Sequence, residues 1–89
     1  MKKIVVTVIG ADRVGIVAAV SAALAKENIN ILDISQTIVD DIFDMVLMCD
    51  MENATGSLKE LQDNLGEIGK AAYSVQELDR KSNSKGGKQ

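Results

Sequence analysis

Ile4-Val-Val-Thr-Val-Ile-Gly10-Ala-Asp-Arg-Val-Gly15-Ile-Val-Ala-Ala-Val20 contains the change of hydrophobic period on which the fold depends. Up to Gly10, apolar and β-branched residues occupy both alternating faces, which is typical of a central strand. Alanines after Gly15 favour a helix. The larger apolar residues there recur at helical spacing, at Ile16, Val17, Val20 and Leu24. The stretch therefore predicts an interior strand followed by an amphipathic helix.

The rest of the chain predicts two further strands, a helix and a last strand. A second strand over Ile29–Val39 alternates polar residues with Leu32, Ile34 and Ile38, which indicates an edge strand with one buried face. A tight turn at Asp40 and Asp41 leads to a third strand over Ile42–Met51, so these two strands form a hairpin. Ser57-Leu-Lys-Glu60 fits a capping box before a helix with Leu58, Leu61, Leu65 and Ile68 on one face. Ala71–Leu78 is the last strand.

The element order β-α-β-β-α-β predicts an α+β, ferredoxin-like sandwich. Right-handed crossovers convert this order into a four-stranded antiparallel sheet with two helices on one face. Eighty-nine residues suffice for one such domain, predicted over residues 1–79. Residues 80–89 hold four Lys/Arg and no apolar side chain, so they are predicted to be a flexible basic C-terminal tail.

Charge and composition exclude several classes of function. Residues 1–79 hold six Lys/Arg against thirteen Asp/Glu, a net charge of −7 that opposes nucleic-acid binding. The chain has no His and a single Cys49, which argues against disulfides, zinc sites and other resident metals or cofactors. No apolar run is long enough to cross a bilayer, and no signal peptide is predicted. We expect a cytoplasmic protein with no cofactor, no membrane association and no nucleic-acid partner.

The segment between the first strand and the first helix is the most informative for function. A helix N-terminus presents free N–H groups and partial positive charge, so a carboxylate or phosphate could bind there. The spacing of Gly10 and Gly15 resembles a phosphate-binding loop, but Ile16 and Val17 replace its Lys and Ser/Thr. A purely structural interpretation is that both glycines permit a tight turn and Asp12 caps the helix.

Gly10-Ala-Asp-Arg-Val-Gly15-Ile-Val17 and Ala25-Lys-Glu-Asn-Ile-Asn-Ile-Leu-Asp-Ile34 together resemble the ACT domain family. Ile29-Asn-Ile-Leu-Asp-Ile-Ser-Gln-Thr37 is especially similar to the small standalone ACT proteins of the UPF0237 group. The resemblance implies a non-catalytic regulatory module that binds an amino-acid-like metabolite where two ACT domains meet, in a homodimer. It implies as ligand contacts, position by position, Gly10, Asp12, Arg13, Val14, Gly15, Ile16, Asn30, Ile31 and Asp33.

Alternative functions stay open at the level of sequence. The nearest is a protein-protein assembly or regulatory subunit with an unidentified partner and no small-molecule ligand of its own. Acylphosphatases share the topology, and Arg13 and Asn30 invite comparison, but their Gln-Gly-Val loop is absent. RRM domains share it too, yet they stack bases on sheet aromatics, and Phe43 and Tyr73 are the only aromatics here. Methionines near Cys49 could bind Cu(I), although core packing explains them more simply.

Overall fold

The computed structural model describes residues 1–78, and it confirms the predicted element order. All strand pairs are antiparallel in one sheet of order β2-β3-β1-β4, so β1 is interior and β2 is an edge strand, as predicted. The predicted tail, residues 80–89, lies outside the described residues. The elements are β1 (Lys3–Gly10), α1 (Arg13–Lys26), β2 (Asn30–Val39), β3 (Ile42–Asp50), α2 (Leu58–Ile68) and β4 (Ala71–Glu77).

Local side-chain chemistry fixes the start of each helix. Asp12 is the N-cap of α1, and its Oδ1 accepts a 3.2 Å hydrogen bond from the Gly15 N–H. The predicted capping box of α2 is present, with Ser57 Oγ accepting from the Glu60 N–H at 3.1 Å and Glu60 Oε1 accepting from the Ser57 N–H at 2.8 Å. Gly69 ends α2 with a φ of 71°, in the left-handed region that glycine adopts at little cost.

One hydrophobic core lies between the helices and the facing side of β1 and β3. Cys49 is fully buried there, and burial raises the pKa of its thiol to about 11. Met45 and Met51 are buried beside it, which confirms core packing as their role. Within residues 1–78, no helix is both long and apolar enough to cross a membrane. The other large side chains that are fully buried are Ile4, Val6, Val8, Ile16, Val20, Leu24, Phe43, Leu47, Leu61 and Leu65.

The prediction that Leu32, Ile34 and Ile38 form a buried face of β2 is wrong. The register between β2 and β3 shifts between Ile31 and Asp33, so Leu32 occupies a bulge and leaves the alternation. Ile34 and Ile38 do face the helix side, because they pair with buried residues of β3, but they are 42% and 59% exposed. The helices therefore cover β3 but leave much of the edge strand β2 uncovered.

The strand pairing places the connecting loops and turns at two opposite ends of the sheet. The upper end holds the β1–α1 loop, the β2–β3 turn and the α2–β4 turn. The lower end holds the α1–β2 turn and the segment 51–57 that leads into α2. Leu78 also lies at the lower end, where its N–H donates to the Lys3 carbonyl at 3.0 Å.

Candidate functional site

Gly10 has a packing role that explains its presence without a ligand. A Cβ at this position would lie 2.5 Å from Ile16 Cδ1, 2.8 Å from Ala71 Cβ and 3.0 Å from the Lys70 carbonyl oxygen. No side chain fits between these groups unless they move apart. Gly10 therefore allows close packing of Ile16 and the start of β4 at the β1–α1 loop, and it is half-buried rather than exposed.

Asp12 and Gly15 form one structural unit at the start of α1. The Asp12 side chain accepts the hydrogen bond from Gly15 described above, and a Cβ on Gly15 would lie 2.6 Å from Asp12 Oδ2. One carboxylate oxygen of Asp12 is thus committed to capping, whereas the residue itself is exposed. Any substitution of Gly15 would therefore disturb the cap.

The remaining residues of the first turn divide between core and surface. Ile16 is fully buried, and its N–H donates to the Asp12 carbonyl at 3.0 Å, so neither group is free to contact a ligand. Val14 is 74% exposed. As at any helix N-terminus, the N–H groups of Arg13 and Val14 have no intrahelical acceptor, and they point outward with the positive end of the helix dipole.

Arg13 connects the loop to the edge strand. Its Nε donates a 3.2 Å hydrogen bond to the side-chain oxygen of Gln36, in the upper half of β2. Gln36 pairs with the buried Met45 and so lies on the helix side of the sheet. The contact leaves the two terminal nitrogens of the guanidinium available. The sequence does not predict this contact, because nothing near Gln36 along the chain points to Arg13.

The structure does not bring the candidate strand residues to this loop within one chain. Asn30, Ile31 and Asp33 begin β2 at the lower end, whereas the loop lies at the upper end, separated by an α1 about 21 Å long. They also lie on different faces. Ile31 pairs with Cys49 on the helix side, while Asn30 and Asp33 pair with Asp50 and Met48 on the open side.

The edge of β2 carries an exposed apolar strip beside the Arg13 contact. Ile34 and Ile38 contribute to it from the helix side, and Val39, at the upper end of the strand, is 62% exposed. An edge strand presents unpaired backbone N–H and C=O groups. An apolar edge with free backbone groups is well suited to pairing with another strand.

Comparisons with known proteins agree with the resemblance seen in the sequence. The family model described as the ACT domain matches residues 4–66. A UPF0237 protein of Pyrobaculum aerophilum is 53% identical over 70 residues, which cover 79% of this chain and 78% of the relative. A UPF0237 protein of Listeria monocytogenes serotype 4b is 52% identical over 65 residues, which cover 73% of each.

Solved structures resemble the chain over most of its length. An ACT domain protein from Streptococcus pneumoniae has a TM-score of 0.72 and 32% identity, with 85% of this chain and 89% of that chain covered. A formyltetrahydrofolate deformylase from Pseudomonas syringae has a TM-score of 0.77 at 23% identity, with 86% of this chain but only 28% of that chain covered. The second likeness shows a shared fold and nothing about the reaction.

Proposed function

Because the chain belongs to the ACT domain family of regulatory ligand-binding domains, we propose that it binds an amino-acid-like metabolite between two copies of itself. It performs no chemistry on that ligand. The binding surface combines the β1–α1 loop of one copy with the first residues of β2 from the other. The hydrogen bond from Arg13 to Gln36 carries this proposal, because it ties the loop to the edge strand through which the copies would meet.

Two-fold pairing of β2 strands accounts for the distance between the candidate residues. In an antiparallel pair centred near Ile34 and Ser35, the start of one β2 lies beside the end of the other. The partner's Asn30 and Ile31 would then approach Ile38 and Val39, at the upper end where Arg13 lies. The same pairing would cover the exposed apolar strip of β2 and satisfy its free backbone groups.

The chemistry of the surface suits a ligand with both a carboxylate and an ammonium group. Arg13 and the first-turn N–H groups of α1 can bind the carboxylate through charge-assisted hydrogen bonds. The uncommitted oxygen of Asp12 can accept from the ammonium group. Val14, in the first turn of α1, and the partner's Ile31, on the helix side of the sheet, can contact an apolar side chain of the ligand. The partner's Asn30 and Asp33 lie on the open side and would contribute chiefly backbone groups.

The test is thermal stability measured against the common amino acids and a few 2-oxo acids. A ligand at 100 times its Kd should stabilise the fold by about 2.7 kcal/mol, or on the order of 10 to 20 °C in Tm for a domain this size. Arg13→Ala should reduce or abolish the shift. Lys26→Ala is the matched control, because it removes a positive charge from the exposed other end of the same helix.

The controls are chosen to leave the architecture intact. Gly15→Leu is unsuitable, because its side chain would collide with the Asp12 cap and change stability without any ligand. A shift that persists unchanged in Arg13→Ala would exclude this loop as the site. No shift with any compound, from a protein that is dimeric in sedimentation experiments, would favour the alternative of an assembly module without its own ligand. The exposed apolar edge of β2 supports that alternative equally.

A further inference from the structure

A buried carboxylate lies at the lower end of the molecule, away from the loop and strand discussed above. Glu27 follows the last turn of α1 and is only 6% exposed. Its Oε2 accepts a hydrogen bond from the side-chain amide of Asn64 on α2. Its Oε1 is buried and accepts no hydrogen bond in the described part of the chain. A buried carboxylate oxygen without a donor is costly, so such a group calls for an explanation.

The surrounding backbone holds Glu27 in this position. The Glu27 N–H donates to the Leu24 carbonyl at 3.2 Å, and the Glu27 carbonyl accepts from the Thr55 N–H at 3.0 Å. The segment before α2 is thereby fastened against the end of α1. These bonds fix the Glu27 backbone, and the hydrogen bond from Asn64 holds its carboxylate.

Gly56 packs directly against the unpaired oxygen of Glu27 and against Glu60. A Cβ at this position would lie 2.8 Å from Glu27 Oε1 and 2.9 Å from Glu60 Oε1, so both carboxylates border the same spot. Glu60 Oε1 accepts from the Ser57 N–H in the capping box, and this contact fixes its position. The Glu27 and Glu60 carboxylates therefore converge on Gly56, where any larger residue would collide with both.

The cleft around this spot is acidic. Its volume is about 380 Å³, and no Lys or Arg from residues 1–78 contributes to its lining. Lys59 lies outside the lining and pairs with Asp63 at 3.2 Å on the exposed surface. The acidic cleft, as we name it, is lined by Glu27, Thr55, Gly56, Glu60, Asp63, Asn64 and Glu67.

We propose that the acidic cleft binds an organic cation, an ammonium or guanidinium group, with Glu27 Oε1 and the Glu60 carboxylate as its acceptors. Such a group carries several N–H donors that can reach both oxygens at once. Over residues 1–78, no three acidic, His or Cys side chains are arranged to hold a metal ion, which favours an organic cation over a divalent one. Asn64 already donates to the other oxygen of Glu27, so the ligand needs to supply only the missing donor.

Two sources could deliver this chemistry. One is a free amine. The other is a basic side chain of this chain's own residues 79–89, which include Arg80, Lys81, Lys85 and Lys88. Leu78 lies at the same lower end as the cleft, and eleven extended residues span up to roughly 35 Å. The four positive charges of residues 79–89 are complementary to the four carboxylates that line the cleft.

The test follows the backbone amide of Gly56 and the side-chain amide of Asn64 by ¹⁵N-¹H correlation spectra of the full chain. Putrescine, a linear diamine, is the probe, with NaCl at matched ionic strength as the reference. We expect saturable shifts at both amides and a Kd about tenfold or more weaker in Glu27→Gln. Asp41→Asn is the matched control, because it removes one exposed carboxylate at the upper end and should leave the Kd unchanged.

A full-length variant with Arg80, Lys81, Lys85 and Lys88 all changed to Gln distinguishes the sources. If these residues fill the cleft, the variant shifts the Gly56 and Asn64 amides without any probe and binds putrescine more tightly than the unmodified chain. If the source is a free amine, both chains bind equally. Either result supports the site. Absence of a response in both chains, equal binding by Glu27→Gln, or a larger response to MgCl₂ than to putrescine would overturn the proposal.

Discussion

Gly10→Ala is expected to destabilise the protein although it adds only one methyl group. The new Cβ would meet the buried Ile16 side chain at 2.5 Å and the Ala71 Cβ at 2.8 Å, with the Lys70 carbonyl at 3.0 Å behind them. Two of these neighbours belong to the β4 end of the sheet and its turn, so they cannot rotate away. Overpacking of this kind costs about 1 to 3 kcal/mol, equivalent to a fall in Tm of roughly 5 to 20 °C for a domain of this size.

Gly66→Ala is the matched substitution with the opposite expected sign. Gly66 is an exposed residue inside α2, and a Cβ there would have no heavy atom within 4 Å. Alanine favours the helix interior over glycine by up to about 1 kcal/mol, so Tm should rise by about 4 to 8 °C. The two variants have the same composition, and their difference therefore isolates the space around each glycine.

Urea unfolding of both variants at one fixed protein concentration measures the two free energies. The concentration is held constant because any self-association would add to the apparent stability. A Gly10→Ala variant as stable as the unmodified chain, alongside a stabilised Gly66→Ala, would refute the packing argument. The interpretation of Gly10 as a position kept open for a ligand would then regain its force.

Three further outcomes test other parts of the molecule. Ser57→Ala should lower the free energy of unfolding by about 1 kcal/mol in urea titrations, since the capping box loses an acceptor. If two copies pair through β2 as proposed, Ile38→Lys should convert the dimer to a monomer in sedimentation velocity, while the monomer's stability changes by less than about 0.5 kcal/mol, because this side chain is already 59% exposed. The buried Cys49 thiol, whose pKa is about 11 against an ordinary 9.0, stays protonated in the folded state where the unfolded state ionises. The stability of the unmodified chain relative to Cys49→Ala should therefore fall between pH 9 and 11, by up to ~1.4 kcal/mol per pH unit, and be unaffected below pH 8.

The helices and strands could be predicted from the sequence because the residues that favour each one lie within its own segment. The capping box of α2 needs only Ser57 and Glu60, and the alternation of β3 follows from one buried face. The edge position of β2 was also predictable, since its polar residues could not enter a core. The exposure of Ile34 and Ile38 was not predictable, because it depends on how far the helices extend over the sheet, and the bulge at Leu32 leaves no mark in composition.

The sequence predicted which residues belong to the candidate site better than it predicted how they are arranged. The residues of the β1–α1 loop lie close together because they are consecutive in the chain. The structure adds Gln36 to them through its hydrogen bond with Arg13. Gly10 and Ile16 turn out to face the core, which sequence spacing alone could not separate from facing a ligand. The burial of Glu27 was not predictable, because a Glu after a helix is ordinarily solvated, and its burial arises only from the packing of residues 54–64 against α1.

The separation of the loop from the start of β2 has a thermodynamic consequence if the ligand binds as proposed. Residues at opposite ends of one α1 cannot contact one small molecule in a single chain. A site that needs Arg13 of one copy and Ile31 of the other exists only in the dimer, so the dimer is the binding-competent state. Linkage then requires that ligand strengthen dimerisation by the same factor by which dimerisation strengthens binding. The apparent affinity should weaken on dilution below the dimer Kd, and a ligand affinity independent of protein concentration would mean that each chain binds alone.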